Sequence, residues 1–159
     1  MHFQNGIGYL SGMKTTLLFL SVFLSVISHS QITVRDLIKV AKMDRESFEI
    51  YAMNNGYSYD EIKIGEDYNK LVYRKRNGSI QSFLSYYPIY LDRKYSSGCE
   101  TNNVRLLSLW YEQLRGLGFK ESFEVVNDGA YNKGYIRGKE TISIFIEDNW
   151  LEIHYKQEY

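Results

Sequence analysis

The heptapeptide YNKLVYR at residues 68–74 recurs as YNKGYIR at residues 131–137. Tyr, Asn, Lys and Arg occupy the same four of the seven positions, 63 residues apart. Both stretches contain the aromatic and branched residues that favour β-strands. We interpret the recurrence as the mark of an internal duplication in which each half contributes strands to one fold.

Helix and strand signals follow the same order on both sides of the chain. Thr33 and Asp44 are good N-caps for two helices. Alternating patterns then predict extended segments at 57–64, 68–76 and 79–86. In the second half, Thr101 or Asn102 is predicted to cap a helix that runs to about Arg115. Extended segments are predicted after it at 119–126, 130–137, 141–147 and 150–156.

Turn signals divide the chain into two repeats. Repeat one covers residues 33–86, a connector covers 87–101, and repeat two covers 102–156. The connector is predicted because it holds the only proline and a Ser-Ser-Gly run. The fold class that follows is α+β: two tandem helix-plus-antiparallel-strand repeats form one sheet, with the helices packed on one face.

The N-terminal residues have the pattern of a secretory signal peptide. Lys14 precedes an apolar run that ends at Ile27, and a small-x-small site ends at Ser30. The run spans about 20 Å as a helix, which is short of the ~30 Å hydrocarbon core of a bilayer. We therefore predict cleavage after residue 30, no stable membrane anchor, a mature domain of residues 31–159, and a periplasmic or secreted location. Met13 is an alternative start.

Charge and cysteine content narrow the classes of function. Without residues 1–30 the chain carries 18 Lys and Arg against 19 Asp and Glu, which does not fit a nucleic-acid-binding domain. Cys99 is the only cysteine, so no disulfide can form within the chain. It is predicted to be a partly buried thiol in the connector, with pairing between two chains as the alternative.

Period-two alternation assigns the strand residues to two faces. Ile142, Ile144 and Ile146 are predicted to face the helices, as are Leu71, Tyr73 and Ile136. The other face then combines aromatic rings with Lys and Arg, residue types typical of interaction surfaces. Its candidate binding residues are Tyr68, Lys70, Arg74, Phe83, Tyr131, Lys133, Tyr135, Arg137, Phe145 and Trp150. An ordinary solvent-facing sheet with cross-strand pairs is the alternative.

Few residues support catalysis. His154 is the only histidine beyond residue 30, and Cys99 the only thiol. Neither lies in a spacing typical of a nucleophilic triad or a zinc site. No phosphate-binding loop is present in the sequence. We therefore predict no catalytic residues, no metal site and no cofactor.

The chain resembles small exported proteins of uncertain function from Gram-negative bacteria, through its Ser-Gln signal junction and the elements Asn55-Gly56-Tyr57 and Leu117-Gly118-Phe119. Over residues 33–156, its element order is also similar to the β-lactamase-inhibitor-protein-like fold. That resemblance implies two repeats that build one curved sheet whose open face holds a partner. The intra-repeat disulfides of that fold have no counterpart here, since Cys99 is alone.

Three hypotheses of function follow. The first is an exported, non-enzymatic module that binds a protein or peptide through the outer sheet face. The second is a hydrolase of envelope polymers that uses two carboxylates. The third is a structural envelope protein that associates with itself. The sequence does not specify the oligomeric state.

Overall fold

Two short helices begin at the residues that the sequence predicts. A computed structural model of the protein describes residues 31–64, 69–88, 95–127 and 129–158, and in it helix α1 spans Val34–Ala41 and α2 spans Arg45–Asn54. Thr33 caps α1 through its hydroxyl, which accepts from the Asp36 backbone. The Asp44 carboxylate accepts from the Ser47 backbone at 2.7 Å and so caps α2. The predicted signal peptide and its start lie outside the described residues.

Eight strands form one antiparallel sheet. They are β1 Ser58–Ile64, β2 Asn69–Asn77, β3 Ile80–Tyr87, β4 Tyr95–Thr101, β5 Lys120–Asn127, β6 Ala130–Arg137, β7 Glu140–Glu147 and β8 Trp150–Gln157. A third helix, α3, spans Leu106–Gly116, between β4 and β5. The strand order is β1-β2-β3-β4-β8-β7-β6-β5. Within the described residues the fold is thus α+β, in which two meanders of consecutive strands meet where β4 pairs with β8.

The two halves share a helix-to-strand junction with the same geometry. After α2, Gly56 has a φ of +78° and the Tyr57 amide donates to the Ala52 carbonyl at 3.0 Å. After α3, Gly118 has a φ of +79° and the Phe119 amide donates to the Leu114 carbonyl at 3.0 Å. These positive φ angles favour glycine. Each junction delivers a buried aromatic ring just before the first strand of its meander.

A cation from the second strand of each meander closes this junction. Lys75 Nζ donates to the Asn55 carbonyl at 2.8 Å and lies 5.6 Å from the centre of the Tyr57 ring. Arg137 donates to the Leu117 carbonyl at 2.7 Å, and its guanidinium lies 4.4 Å from the centre of the Phe119 ring. Both contacts satisfy carbonyls at a helix end, where cations are favourable.

The first strand of each meander is also interrupted at the same place. The β1–β2 register shifts between Tyr59 and Glu61, and the β5–β6 register shifts between Glu121 and Phe123. Such irregularities are common on edge strands, where they discourage pairing with other chains. Glycine, aromatic ring, cation and register shift all recur at a spacing of 62 residues.

The predicted connector is wrong in its second part, because residues 95–101 form strand β4 in the middle of the sheet. Their small side chains permit close packing. The buried Ser97 hydroxyl donates to the Leu37 carbonyl of α1 at 2.7 Å. Gly98 lies beneath His154, since a Cβ atom there would be 2.9 Å from His154 Nδ1. The run that looks like a linker is therefore what a crowded central strand requires.

The start of the third helix also differs from the prediction. Thr101 and Asn102 do not cap it, because α3 begins at Leu106. The Thr101 hydroxyl donates to the Gln81 carbonyl at 2.8 Å, and the Asn102 side chain accepts from the Gln81 amide at 2.8 Å. Both residues instead tie the end of β4 to the start of β3.

The core contains side chains from the helices and from one set of alternate strand residues. We call the face of the sheet that carries Leu84, Ile142, Ile144, Ile153 and Tyr155 the inner face; all five are fully buried. Phe48 of α2 stacks on Tyr86, with ring centres 4.8 Å apart, and meets Tyr73 edge-on at 5.3 Å. The helices and strands named above all lie within the unit Ile32–Tyr159.

Candidate interaction surface on the outer sheet face

Five predicted surface residues share the face opposite the core, which we call the outer face. Residues directly opposite each other in an antiparallel ladder project to the same side. The ladder pairs run from Arg74 to Phe83, Glu100, Glu152 and Phe145 across five neighbouring strands. By alternation along the strands, Lys70 and Trp150 lie on this face too.

Four predicted surface residues lie on the inner face, which corrects the assignment made from sequence. They pair with inner-face residues of β7: Tyr131 with Ile146, Lys133 with Ile144, Tyr135 with Ile142, and Arg137 with Glu140. The reason is a shift of one residue. The geometry of the two halves repeats every 62 residues, whereas the YNK motif repeats every 63, and a shift of one residue sends every side chain to the other face.

The same shift changes the face of Ile136, but it leaves Leu71 and Tyr73 where the sequence predicts them. Ile136, predicted to face the helices, lies on the outer face opposite Thr141 and is 44% exposed. Leu71 and Tyr73 do face the core, as predicted, and are buried. Tyr68 lies outside the described residues. The isoleucines of β7 confirm their predicted face, since Ile142 and Ile144 are fully buried.

Aromatic rings line the exposed part of the outer face. Phe83 and Trp150 lie with ring centres 6.1 Å apart. Phe145 meets the His154 ring edge-on at 6.2 Å. Trp150 is 39% exposed and Phe145 is 38% exposed, so both rings offer apolar surface to a partner while resting on the sheet.

A buried lysine neutralises one of two carboxylates at the centre of this face. Lys70 Nζ bonds Glu100 Oε1 at 2.9 Å and lies 5.7 Å from the centre of the Tyr87 ring. Burial is the largest single effect and lowers the pKa of Lys70, but the hydrogen bonds and charges of Glu100 and Tyr87 together outweigh it, so the pKa is raised. Lys70 therefore stays charged at neutral pH.

The second carboxylate bonds the only described histidine. His154 Nε2 lies 2.5 Å from Glu152 Oε1. This hydrogen bond lowers the pKa of Glu152, against the opposing effect of burial, and the charges of His154, Lys70 and Lys63 lower it further. Glu152 is ionised at neutral pH and stands directly opposite Glu100 in the β4–β8 ladder.

A row of small residues, interrupted by His154, crosses the outer face beside the carboxylates. Ser85 pairs with Gly98, Gly98 with His154, His154 with Ser143, and Ser143 with Gly134. Within the described chain, two buried side-chain polar atoms lack a hydrogen-bond partner, Ser85 Oγ and Asn132 Oδ1. Both belong to the outer face, because Ser85 pairs with Gly98 and Asn132 pairs with Phe145. Unpaired buried polar atoms are costly and call for an explanation.

Sequence reasoning missed the charged centre of this face. Glu152 and His154 alternate with the buried residues of β8, but nothing in the sequence marks them as partners of β4. The sequence predicts that Glu100 belongs to the connector, and only the strand order brings it opposite Glu152. The pairing of β4 with β8 joins residues that are fifty or more positions apart, and local patterns do not report such contacts.

The cysteine and the carboxylates offer little chemistry. Cys99 is 1% exposed on β4, not partly buried in a connector, and burial is the main reason that its pKa rises to about 12. A thiol enclosed in this way does not reach a second chain without local unfolding. The lowered pKa of Glu152 is the opposite of what a general acid requires. Among residues whose placement is described, no three Asp, Glu, His or Cys side chains gather into a metal site.

Comparison with known proteins finds no match for this chain. No protein-family model matches the chain, no curated protein matches it, and no solved structure matches it. None of the described helices is both long enough and apolar enough to span a membrane.

Proposed function

We propose that this chain is an exported, non-enzymatic module that binds a protein or peptide through the outer face of its sheet. The observation that carries the proposal is the grouping of Phe83, Phe145 and Trp150 around a central pair of carboxylates. Half-exposed rings next to partly buried charges are the composition found in the energetic centre of protein interfaces.

Export is part of the proposal and rests on the sequence of residues 13–31. An apolar run after Lys14 and a small-x-small site before Gln31 are the features that support it. The periplasm or the surrounding medium would then be the place where the outer face meets its partner.

The duplication is also proposed. In its support, the glycine, aromatic, cation and register shift recur at one constant spacing, and the strand order is symmetric about the β4–β8 pair. We propose that each repeat comprises helical structure followed by four strands. We also propose that the helices cover the inner face of the sheet. The resulting layout would be that of the β-lactamase-inhibitor-protein-like fold. In this arrangement the part of the outer face that carries Phe145 and Trp150 is exposed and available to a partner.

Affinity capture tests the proposal with matched variants. The full chain, tagged at its C-terminus and expressed in its native host, is compared with the double variant Phe83→Ser/Trp150→Ser. We expect the variant to lose a co-purifying protein, because removing two interface aromatics costs roughly 2 kcal/mol or more each. The matched control is Ile50→Ser/Met53→Ser, which removes two exposed apolar side chains of α2 instead.

The control separates a binding face from general stickiness. It should retain the partner that the outer-face variant loses, and capture is carried out at a temperature at which both variants keep the circular dichroism spectrum of the folded parent. If both variants capture the same proteins as the parent, or the parent captures nothing above background, the proposed function is wrong.

A further inference from the structure

We infer that the outer face binds an arginine side chain presented by its protein partner, held against Glu100 and Glu152 between the aromatic rings. The inference rests on the proposed function above and names the chemistry of the partner. Its geometric basis is a row of four ladder positions, in which Phe83, Glu100, Glu152 and Phe145 stand side by side on β3, β4, β8 and β7. Neighbouring strands lie ~4.8 Å apart, so the two carboxylates are adjacent and each has a ring on its far side.

Two carboxylates face each other across the β4–β8 ladder at this point. Lys70 forms an ion pair with Glu100 at 2.9 Å, and Glu152 bonds His154. Two carboxylates on opposite positions of adjacent strands repel each other. A cation placed above them relieves that repulsion.

The aromatic rings on either side of the two carboxylates favour a planar cation. Phe83 and Trp150 lie 6.1 Å apart on one side, and Phe145 stands on the other. Guanidinium groups stack on aromatic faces and bond carboxylates with two parallel N–H groups, whereas an ammonium is a compact and strongly hydrated charge. Arginine therefore fits this arrangement of rings and carboxylates better than lysine does.

The two unpaired polar atoms lie outside the guanidinium site. Ser85 Oγ lies on the strand between those that carry Lys70 and Glu100, and Asn132 Oδ1 lies beside Phe145, two strands from Glu152. Both atoms are enclosed by the protein, so a partner that docks on the surface does not reach them. The site consists of the carboxylates and the aromatic rings.

The test uses N-acetyl-arginine amide as the probe and N-acetyl-citrulline amide as its uncharged counterpart. Binding is followed on the full chain by NMR through the Trp150 indole signal, with the fully buried Trp110 as an internal reference. We expect saturable shifts of the Trp150 signal with the arginine probe and none with the citrulline probe. Glu152→Gln should weaken binding about tenfold, the loss typical of a charge-assisted hydrogen bond.

A control variant with the same change in charge is available on α3. Glu112→Gln should leave the probe affinity unchanged, because Glu112 is an exposed residue of that helix. Phe145→Leu should also weaken binding, since it removes a wall while leaving both carboxylates. Equal shifts with the citrulline probe, or an affinity that Glu152→Gln does not alter, would overturn the inference.

The probe and the capture experiment fail in different ways. Capture that depends on Phe83 and Trp150, together with no response to the arginine probe, refutes the arginine site and leaves the binding module standing. An arginine response without any captured protein refutes the docking of a protein partner, and with it the inference as stated.

Discussion

Replacing Trp110 with alanine is expected to destabilise the protein by about 3–5 kcal/mol, the usual cost of deleting a large buried aromatic side chain. Trp110 is fully buried on α3, and its indole N–H donates to the Ile32 carbonyl at 3.0 Å. The substitution therefore leaves a large cavity and an unpaired carbonyl at once. The free energy of unfolding in urea measures the effect.

Trp110→Phe separates the cost of the cavity from the cost of the unpaired Ile32 carbonyl. It keeps an aromatic ring in the core but removes the donor to Ile32, and we expect a loss of about 1–3 kcal/mol, the cost of leaving a buried acceptor unpaired together with a smaller void. A loss below about 1 kcal/mol for Trp110→Ala is well under the range for buried aromatics and would show that α3 does not pack as described.

Tyr135→Ser and Phe145→Ser are expected to have very different effects on stability, although the sequence predicts the same outer face for both residues. Tyr135 is 3% exposed, pairs with the fully buried Ile142, and lies 6.0 Å from the Tyr111 ring of α3. Its loss should cost about 3 kcal/mol or more. Phe145 is 38% exposed on the opposite face, and its loss should cost about 1–2 kcal/mol.

Thermal and urea unfolding of the two variants decide between the two possible registers of β6 against β7. A melting temperature lowered strongly by Tyr135→Ser and slightly by Phe145→Ser supports the register in which Tyr135 belongs to the core. The reverse order, or equal effects, would place the repeated YNK strand on the face that its sequence suggests and contradict the β6–β7 pairing.

Much of the local structure could be predicted from the sequence because local interactions determine it. Thr33 and Asp44 cap helices through side-chain oxygens that act within three residues. Gly56 and Gly118 adopt positive φ angles that few other residues tolerate. Alternation along β7 and β8 correctly assigns Ile144, Ile153 and their neighbours to the core.

The errors concern features that depend on distant partners. Strand β4 looks like a linker in isolation, and its Ser-Ser-Gly run makes sense only beneath His154 and against Leu37. The side of β6 that faces the core follows from its register with β7, which places Tyr135 opposite Ile142. A match of four residues in seven is too weak to determine that register to within one position.

In the candidate site, too, local patterns predict some residues, whereas others depend on distant partners. Phe83, Phe145 and Trp150 could be placed on one face by alternation alone. The carboxylates could not, because Glu100 and Glu152 become neighbours only through the β4–β8 ladder, and Lys70 reaches Glu100 across the intervening strand β3. A charged centre built from three separate strands leaves no continuous motif in the sequence.

Site-specific photo-crosslinking tests most directly whether the outer face binds a protein. A photoreactive benzoylphenylalanine replaces Phe145 in one chain and Met53, which is exposed on α2, in another; both are expressed in the native host and irradiated. We expect one dominant protein adduct from position 145 and no corresponding adduct from position 53. The same adduct from both positions, or an adduct from position 53 alone, would contradict a binding surface on the outer face.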